Sequence, residues 1–328
     1  MKTLIIPSDQ IPEAAAVIRR GGLVVFPTET VYGLGASAFN PVACTRIFTA
    51  KGRPSDNPLI VHIASWEQLD EVASEVSPEA RQLAQAFWPG PLSLVLPKNP
   101  NVPDIVTAGL PTVAVRWPSN ADAQKLLLEA GVPIAAPSAN VSGAPSPTNF
   151  EMAKSAMLGR VEAILQGDDA EIGLESTIVA FPGGVPKVLR PGAVTVEQIA
   201  AVLSVDPESL PYQVPSEGRP VSPGLKYTHY KPEAEVQLFS QSAELLAWYQ
   251  DDRKIGVLVL EGNLPENIPS AWEVLKFADW ESYAKYLYAS FHEMDEACCG
   301  LILAQLPPAN GVGRAIANRL GKAAGKAV

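Results

Sequence analysis

The sequence predicts an α/β protein in two parts, a twisted mixed sheet with flanking helices followed by a smaller Rossmann-like α/β unit. Three observations carry this expectation. Short apolar runs alternate with helical patterns through residues 1–205, as in a sheet covered by helices. The last two apolar runs of that region lie too close together for a helical crossover, so part of the sheet is antiparallel. From Asp206 to Pro232 the periodicity stops, and Pro207, Pro211, Pro215, Pro220 and Pro223 with Gly218 and Gly224 mark a linker. The division expected is a domain over 1–205, a linker over 206–232 and a second domain over 233–328.

Each element follows from local pattern. Gly22–Phe26 is a buried strand ended by Pro27. Asn40–Ala50 is a helix, with Asn40 as N-cap and Pro41 at its first position. Leu59–Ile63, Leu92–Leu96 and Thr112–Arg116 are strands. Ala121–Ala130 is helical, and Val132–Ala136, Ser176–Ala180 and Lys187–Arg190 are strands, before a helix over Val196–Leu203. In the second unit Val236–Phe239, Ile255–Leu260 and Leu301–Ala304 are strands. Ala243–Gln250, Trp280–Ala297 and Gly313–Ala324 are helices. The long middle helix carries Tyr283, Leu287, Phe291 and Met294 at helical spacing and is read as core.

Composition narrows the function classes. The 328 residues carry a formal charge of −10, with fourteen basic and nineteen acidic side chains over 1–205 and eleven and sixteen beyond. The pI is near 4.9 and the mean hydropathy +0.09. No basic arm is present, which argues against a broad nucleic-acid footprint. The chain holds no apolar run long enough to span a bilayer and no secretory leader, so a cytoplasmic protein without membrane contact is expected. Cys44, Cys298 and Cys299 form no disulfide framework, and with scattered His62, His229 and His292 they form no metal-ligand spacing. The phosphate-loop signature is missing, and Gly33-Leu34-Gly35 and Gly311-Val312-Gly313 both lack the third glycine of the dinucleotide fingerprint.

Polar residues instead gather in loops at strand ends, where open α/β sheets place ligands. Pro27-Thr28-Glu29-Thr30-Val31-Tyr32-Gly33-Leu34-Gly35 reads either as a capped strand-to-helix turn or as a ligand loop. Lys51-Gly52-Arg53-Pro54-Ser55-Asp56-Asn57-Pro58 sets two cations two residues apart, so an extended backbone turns both to one side. They suit phosphate or carboxylate, or simply solvate a helix end. Pro137–Thr148 offers hydroxyls and backbone N–H groups to an anion, or is a plain loop. Glu175-Ser176-Thr177 enters a strand, and Val188-Leu189-Arg190-Pro191-Gly192 leaves one. His62 in an apolar strand reads as a core histidine. Arg116 ends an apolar strand and, if buried, needs an anionic partner.

Taken together, PTETVYGLG, KGRPSDNPL, PSANVSGAPSPT, ESTIV and VLRPG, in this order, resemble the YrdC-like domain of the threonylcarbamoyl-AMP synthase family. The linker stretch Ser222–Pro232 is similar to the segment that precedes the C-terminal domain of the family's long form. Leu225 and Thr228 depart from it, standing where methionine and arginine are frequent. The resemblance implies synthesis of threonylcarbamoyl-AMP and pyrophosphate from L-threonine, bicarbonate and ATP with magnesium. A partner tRNA-modifying transferase then passes the product to the adenosine beside the anticodon, and direct tRNA binding is expected to be weak or absent.

Carried over residue by residue, the resemblance implies threonine contacts at Thr30, His62, Arg116, Ala136 and Ser176. It implies nucleotide contacts at Arg53, Asn57, Thr112, Ser138, Ser146 and Arg190, with Tyr230 or Tyr227 closing over the nucleotide. Lys51 and Arg53 are the candidates for transition-state charge stabilisation; protein ligands to magnesium are not identified. Two other classes compete. One is an RNA-binding module, which salt-dependent tRNA affinity without ATP turnover would reveal. The other is a carbamoyl-phosphate-dependent domain of the hydrogenase-maturation type, whose acylphosphatase and zinc-finger segments this sequence lacks.

Overall fold

The structure, a computed structural model, describes residues 1–210, 230–265 and 267–326. The first part runs β1 (Leu4–Ile6), α1 (Ile11–Arg19), β2 (Val24–Phe26), β3 (Gly33–Ser37), α2 (Pro41–Lys51), β4 (Ile60–His62), α3 (Trp66–Val72), α4 (Pro78–Phe87), β5 (Leu92–Pro97), α5 (Asp104–Thr107), β6 (Thr112–Arg116), α6 (Ala121–Ala130), β7 (Ile134–Ala136), α7 (Phe150–Met157), β8 (Ala163–Leu165), β9 (Thr177–Ala180), β10 (Lys187–Arg190) and α8 (Val196–Leu203). The second runs β11 (Glu235–Phe239), β12 (Ile255–Leu260), β13 (Glu273–Phe277), α9 (Trp280–Glu296), β14 (Leu301–Gln305) and α10 (Gly313–Ala323).

The first ten strands make one mixed sheet in the order β1-β8-β2-β3-β7-β4-β6-β5-β9-β10. β9 and β10 pair antiparallel, as their short separation requires. β11-β14-β12-β13 form a second sheet, parallel throughout, as a Rossmann-like unit demands. Side-chain alternation splits the central strands between two faces. Val61, Leu94, Val115 and Val179 enter the main core with Ile47 of α2, Leu69 of α3 and Leu83 of α4. Ile60, Val95, Ala114, Ile178 and Leu189 form a separate apolar patch on the other face, beneath the site.

Two local expectations change. Gly33–Gly35, read as part of a turn or ligand loop, open β3, which pairs antiparallel to β2. Its glycines are poor strand formers by propensity, but a Cβ on Gly35 would lie 2.6 Å from Ile134 Cγ2 and 2.8 Å from Phe26 Cε1. Packing against the Phe26 ring, rather than propensity, makes this strand. The segment expected as a helix over 243–250 is a 3-10 helix over Ser242–Trp248, with Leu245 its one buried residue; so narrow an apolar anchor gives little packing to hold an α-helix.

The two units share a core. Val31, Met152 and Leu174 of the first pack with Leu258, Tyr283, Leu287, Phe291 and Ile316 of the second. Residues 211–229 lie outside the described residues, and with them Tyr227, Leu225, Thr228 and most of the expected linker.

Candidate active site

The five sequence motifs, scattered from Thr28 to Arg190, converge on one cavity together with Tyr230. Its walls include Thr30, Lys51, Arg53, His62, Arg116, Ala136, Ser138, Ser176, Arg190 and Tyr230, ten of the thirteen residues expected at the site. Asn57, Thr112 and Ser146 stand outside the wall. A larger cavity of about 770 Å³ lies between β10 and the ends of the second sheet, but among the described residues Arg314 is the one charged side chain in its lining. Charge rather than size distinguishes the first.

Local chemistry delivers each cation. Asn40 caps α2 by accepting from Ala43 N at 3.0 Å. Gly52, at φ +63°, ends the helix in the left-handed region, and Arg53 N bonds back to Phe48 O at 2.9 Å. This helix stop, not an extended strand, turns both Lys51 and Arg53 into the cavity. Lys51 is buried, and its Nζ donates to Ser138 O at 2.5 Å, Asn140 O at 2.6 Å and Asn140 Oδ1 at 3.2 Å. Burial, then neighbouring Arg53, pushes the ammonium pKa well down. Asn140 Oδ1 also accepts from Ser138 Oγ at 2.5 Å, and the two backbone carbonyls take their bonds from Lys51. Lys51 therefore braces the Pro137–Thr148 loop rather than standing free in the cavity. Half-buried Arg53 reaches Pro58 O at 3.1 Å.

Arg116 finds its anion in Glu29, with Nη2 to Oε1 at 2.8 Å. Its Nη1 donates to Thr30 Oγ1 at 2.8 Å. Burial raises the Glu29 pKa, and the charge and hydrogen bond of Arg116 outweigh this and hold it below the usual carboxylate range. His62 packs edge-on against Phe26, with ring centroids 5.9 Å apart. Burial first, then Arg116, pushes its pKa down to about 3, so the imidazole is neutral and its buried Nδ1 has no protein partner. The side-chain amide of Asn57 is likewise buried without one.

Backbone pairing joins the loops. Ala139 N bonds Tyr32 O at 2.8 Å, and Ser142 N bonds Lys51 O at 2.8 Å. Arg190 donates to Ser176 O at 3.0 Å and Ser176 Oγ at 3.1 Å. A Cβ on Gly192 would fall 2.6 Å from Glu175 O and 2.4 Å from Thr177 N, so only glycine lets the fifth motif lie against the fourth. Thr112, Ala114 and Arg116 share one face of β6, and Ile60 and His62 pair beside Ala114 and Arg116. The site therefore has a polar, cationic end at Arg116 and an apolar floor leading toward Thr112, roughly 13 Å away along the strand.

Sequence reasoning assigned no role to Glu29, Asn140, Glu175, Tyr288 or Arg319. Glu175 is buried in the cavity wall; its Oε1 accepts from Ser146 Oγ at 2.6 Å and its Oε2 from Arg319 Nε at 2.9 Å. The first three sit inside the quoted motifs and carried a signal there. Tyr288 and Arg319 lie in helices of the second unit, where nothing local marks them.

A mixed α/β sheet whose strand-end loops surround a cavity lined by Lys51, Arg53, Arg116 and Arg190 defines a protein suited to holding anionic small molecules. The family profile described as telomere recombination matches residues 16–192, and the profile for the C-terminal domain of threonylcarbamoyl-AMP synthase matches 194–325. The threonylcarbamoyl-AMP synthases of Pyrococcus abyssi and Bacillus subtilis are each 44% identical, covering 95% and 96% of this chain and 93% of each relative. The solved structure of P. abyssi Sua5 complexed with L-threonine superimposes with a TM-score of 0.90 at 40% identity, over 99% of this chain and 98% of that one. This chain belongs to the threonylcarbamoyl-AMP synthase family. Among the described residues, no helix is long and apolar enough to cross a membrane.

Proposed function

We propose that this protein joins L-threonine, bicarbonate and ATP into threonylcarbamoyl-AMP and pyrophosphate, for a transferase that modifies tRNA in the cytoplasm. The observation that carries the reading is the convergence of Lys51, Arg53, Arg116 and Arg190 on a single cavity built from five separated motifs. ATP, bicarbonate and the threonine carboxylate need that charge held in place.

In this reading the threonine amine takes up the bicarbonate carbon, releasing water, and becomes a carbamate. A carbamate oxygen then attacks the α-phosphorus of ATP, the bond to the β-phosphate oxygen breaks, and pyrophosphate leaves. No protein nucleophile is required. Threonine lies at the polar end, its carboxylate on Arg116 and its polar groups near Thr30, neutral His62, the Ala136 backbone and Ser176. The nucleotide extends over the apolar floor toward Thr112, with Arg53, Asn57, Ser138, Ser146, Arg190 and Tyr230 around it. The unpartnered Asn57 amide and His62 Nδ1 are the groups a ligand would satisfy.

Lys51 stabilises developing charge through the loop it braces and through its own field. Magnesium arrives with ATP, held by phosphates and water. Among the described residues, no group of three or more His, Cys, Asp or Glu side chains is placed to hold a metal ion. Pyrophosphate release with L-threonine, against serine and alanine, tests the reading; equal release with all three contradicts it.

A further inference from the structure

Glu175 is out of place in a cavity for anions. Its carboxyl lines the wall and is ionised, held down to about 2: burial raises it, and Arg319, then Arg190, more than offset the burial. Unneutralised, it would repel ATP, bicarbonate and the threonine carboxylate. Both partners of its Oε2 named here come from the other unit. Arg319 of α10 donates Nε to Oε2 at 2.9 Å and Nη1 to Pro191 O at 2.9 Å, and Tyr288 of α9 donates its hydroxyl to Oε2 at 3.0 Å. Both side chains are fully buried. The other carboxylate oxygen holds Ser146. The Arg319 guanidinium lies 5.5 Å from the centre of the Tyr230 ring, which stacks on Tyr288 at 5.3 Å.

We propose that Arg319, with Tyr288, is a positioning residue for the synthase reaction: it neutralises Glu175, which holds Ser146, and the two side chains themselves hold Tyr230 on the nucleotide side of the cavity. The second unit thereby completes the electrostatics of the site instead of merely being attached to it. Lys51, Arg190 and Lys322 also face Glu175. Arg319 and Tyr288 both hydrogen-bond Oε2 directly. The inference rests on the nucleotide placement proposed above.

The test measures ATP affinity by calorimetry in magnesium, on the full chain, with threonine-dependent pyrophosphate release recorded on the same preparations. Arg319→Gln is expected to weaken ATP binding on the order of tenfold and to leave the threonine requirement nearly unchanged. Glu175→Gln/Arg319→Gln is expected to recover most of that loss, since the uncompensated carboxylate is gone. A purely structural role predicts the reverse, a double variant no better than the single. Tyr288→Phe, which removes one hydroxyl from a packed ring, is expected to weaken ATP about threefold. It decides the matter if Arg319→Gln does not fold. Wild-type ATP affinity in Tyr288→Phe or in folded Arg319→Gln, or no recovery in the double variant, overturns the proposal. Wild-type protein that binds ATP but releases no pyrophosphate overturns the synthase reading, while the coupling is still read from binding.

Discussion

Arg116 donates to Thr30 Oγ1 at 2.8 Å across 86 residues of sequence, and its neighbouring nitrogen meets Glu29. One strand-end arginine is thus held by two consecutive residues of the first motif. The contact fixes the guanidinium before substrate arrives, as a carboxylate-binding fork requires. Arg116→Lys keeps a cation for Glu29 and loses the fork. It is expected to raise the threonine KM about 10- to 100-fold, the range for hydrogen bonds to charged groups, with far less effect on ATP. Steady-state kinetics in both substrates check this; equal effects on both remove Arg116 from the threonine site. Arg116→Ala is the less informative variant, since a stranded buried Glu29 costs about 3–5 kcal/mol of stability.

Lys51 and Arg53 separate by burial. Lys51→Met takes the Lys51 donor from the Ser138 and Asn140 carbonyls of the Pro137–Thr148 loop. It is expected to lose turnover by about a hundredfold or more and to lower the urea midpoint, at about 1–3 kcal/mol per stranded group. Half-buried Arg53 has a lighter structural part, so Arg53→Ala is expected to keep its urea midpoint and raise the ATP KM. A Lys51→Met protein with both normal stability and normal turnover contradicts the brace.

Nucleotide placement along β6 has its own test. Thr112 shares a face with Arg116 at the far end of the strand. Thr112→Val, which keeps the shape and deletes the hydroxyl, is expected to raise the ATP KM several-fold and leave the threonine KM unchanged. A change in threonine KM alone places the reactants the other way round.

Acid should weaken the fold through His62 before it reaches the carboxylates. The folded imidazole sits near pH 3 against 6.5 in the free side chain. The unfolded chain therefore takes up a proton first as pH falls below 6.5, and stability drops by about 1.4 kcal/mol per pH unit from this group. Glu175, shifted from 4.5 to about 2, adds to the loss only below pH 4.5, where its unfolded form protonates. Urea unfolding at pH 7, 5.5 and 4.5 should show a shallower decline for His62→Asn than for wild type. Parallel declines would mean that His62 is not the group responsible.

Much of this was legible in the sequence because it is local. Ala121–Ala130 and Ile255–Leu260 have the expected bounds, each from an uninterrupted pattern with clear stops. β3 was hidden because Gly33 and Gly35 argue against a strand, and the Phe26 ring they accommodate comes from the strand before. The site was legible as motifs but not as geometry. Lys51 and Arg53 looked alike in sequence, yet Lys51 is buried against the Ser138 and Asn140 carbonyls and Arg53 is only half-buried. Arg319 lies 144 residues from Glu175 on a helix with no distinguishing pattern, so only the packing of the two units makes it a partner. Tyr288 sits in a helix whose core stripe masked the one hydroxyl that points at the site.

The most direct test of the central account is pyrophosphate release from ATP, bicarbonate and magnesium with L-threonine, set against serine, alanine and no amino acid. Release is expected to depend on threonine and to fall to background without bicarbonate. Release independent of the amino acid, or none from folded protein, would contradict it and leave the cavity a binding site for another anion.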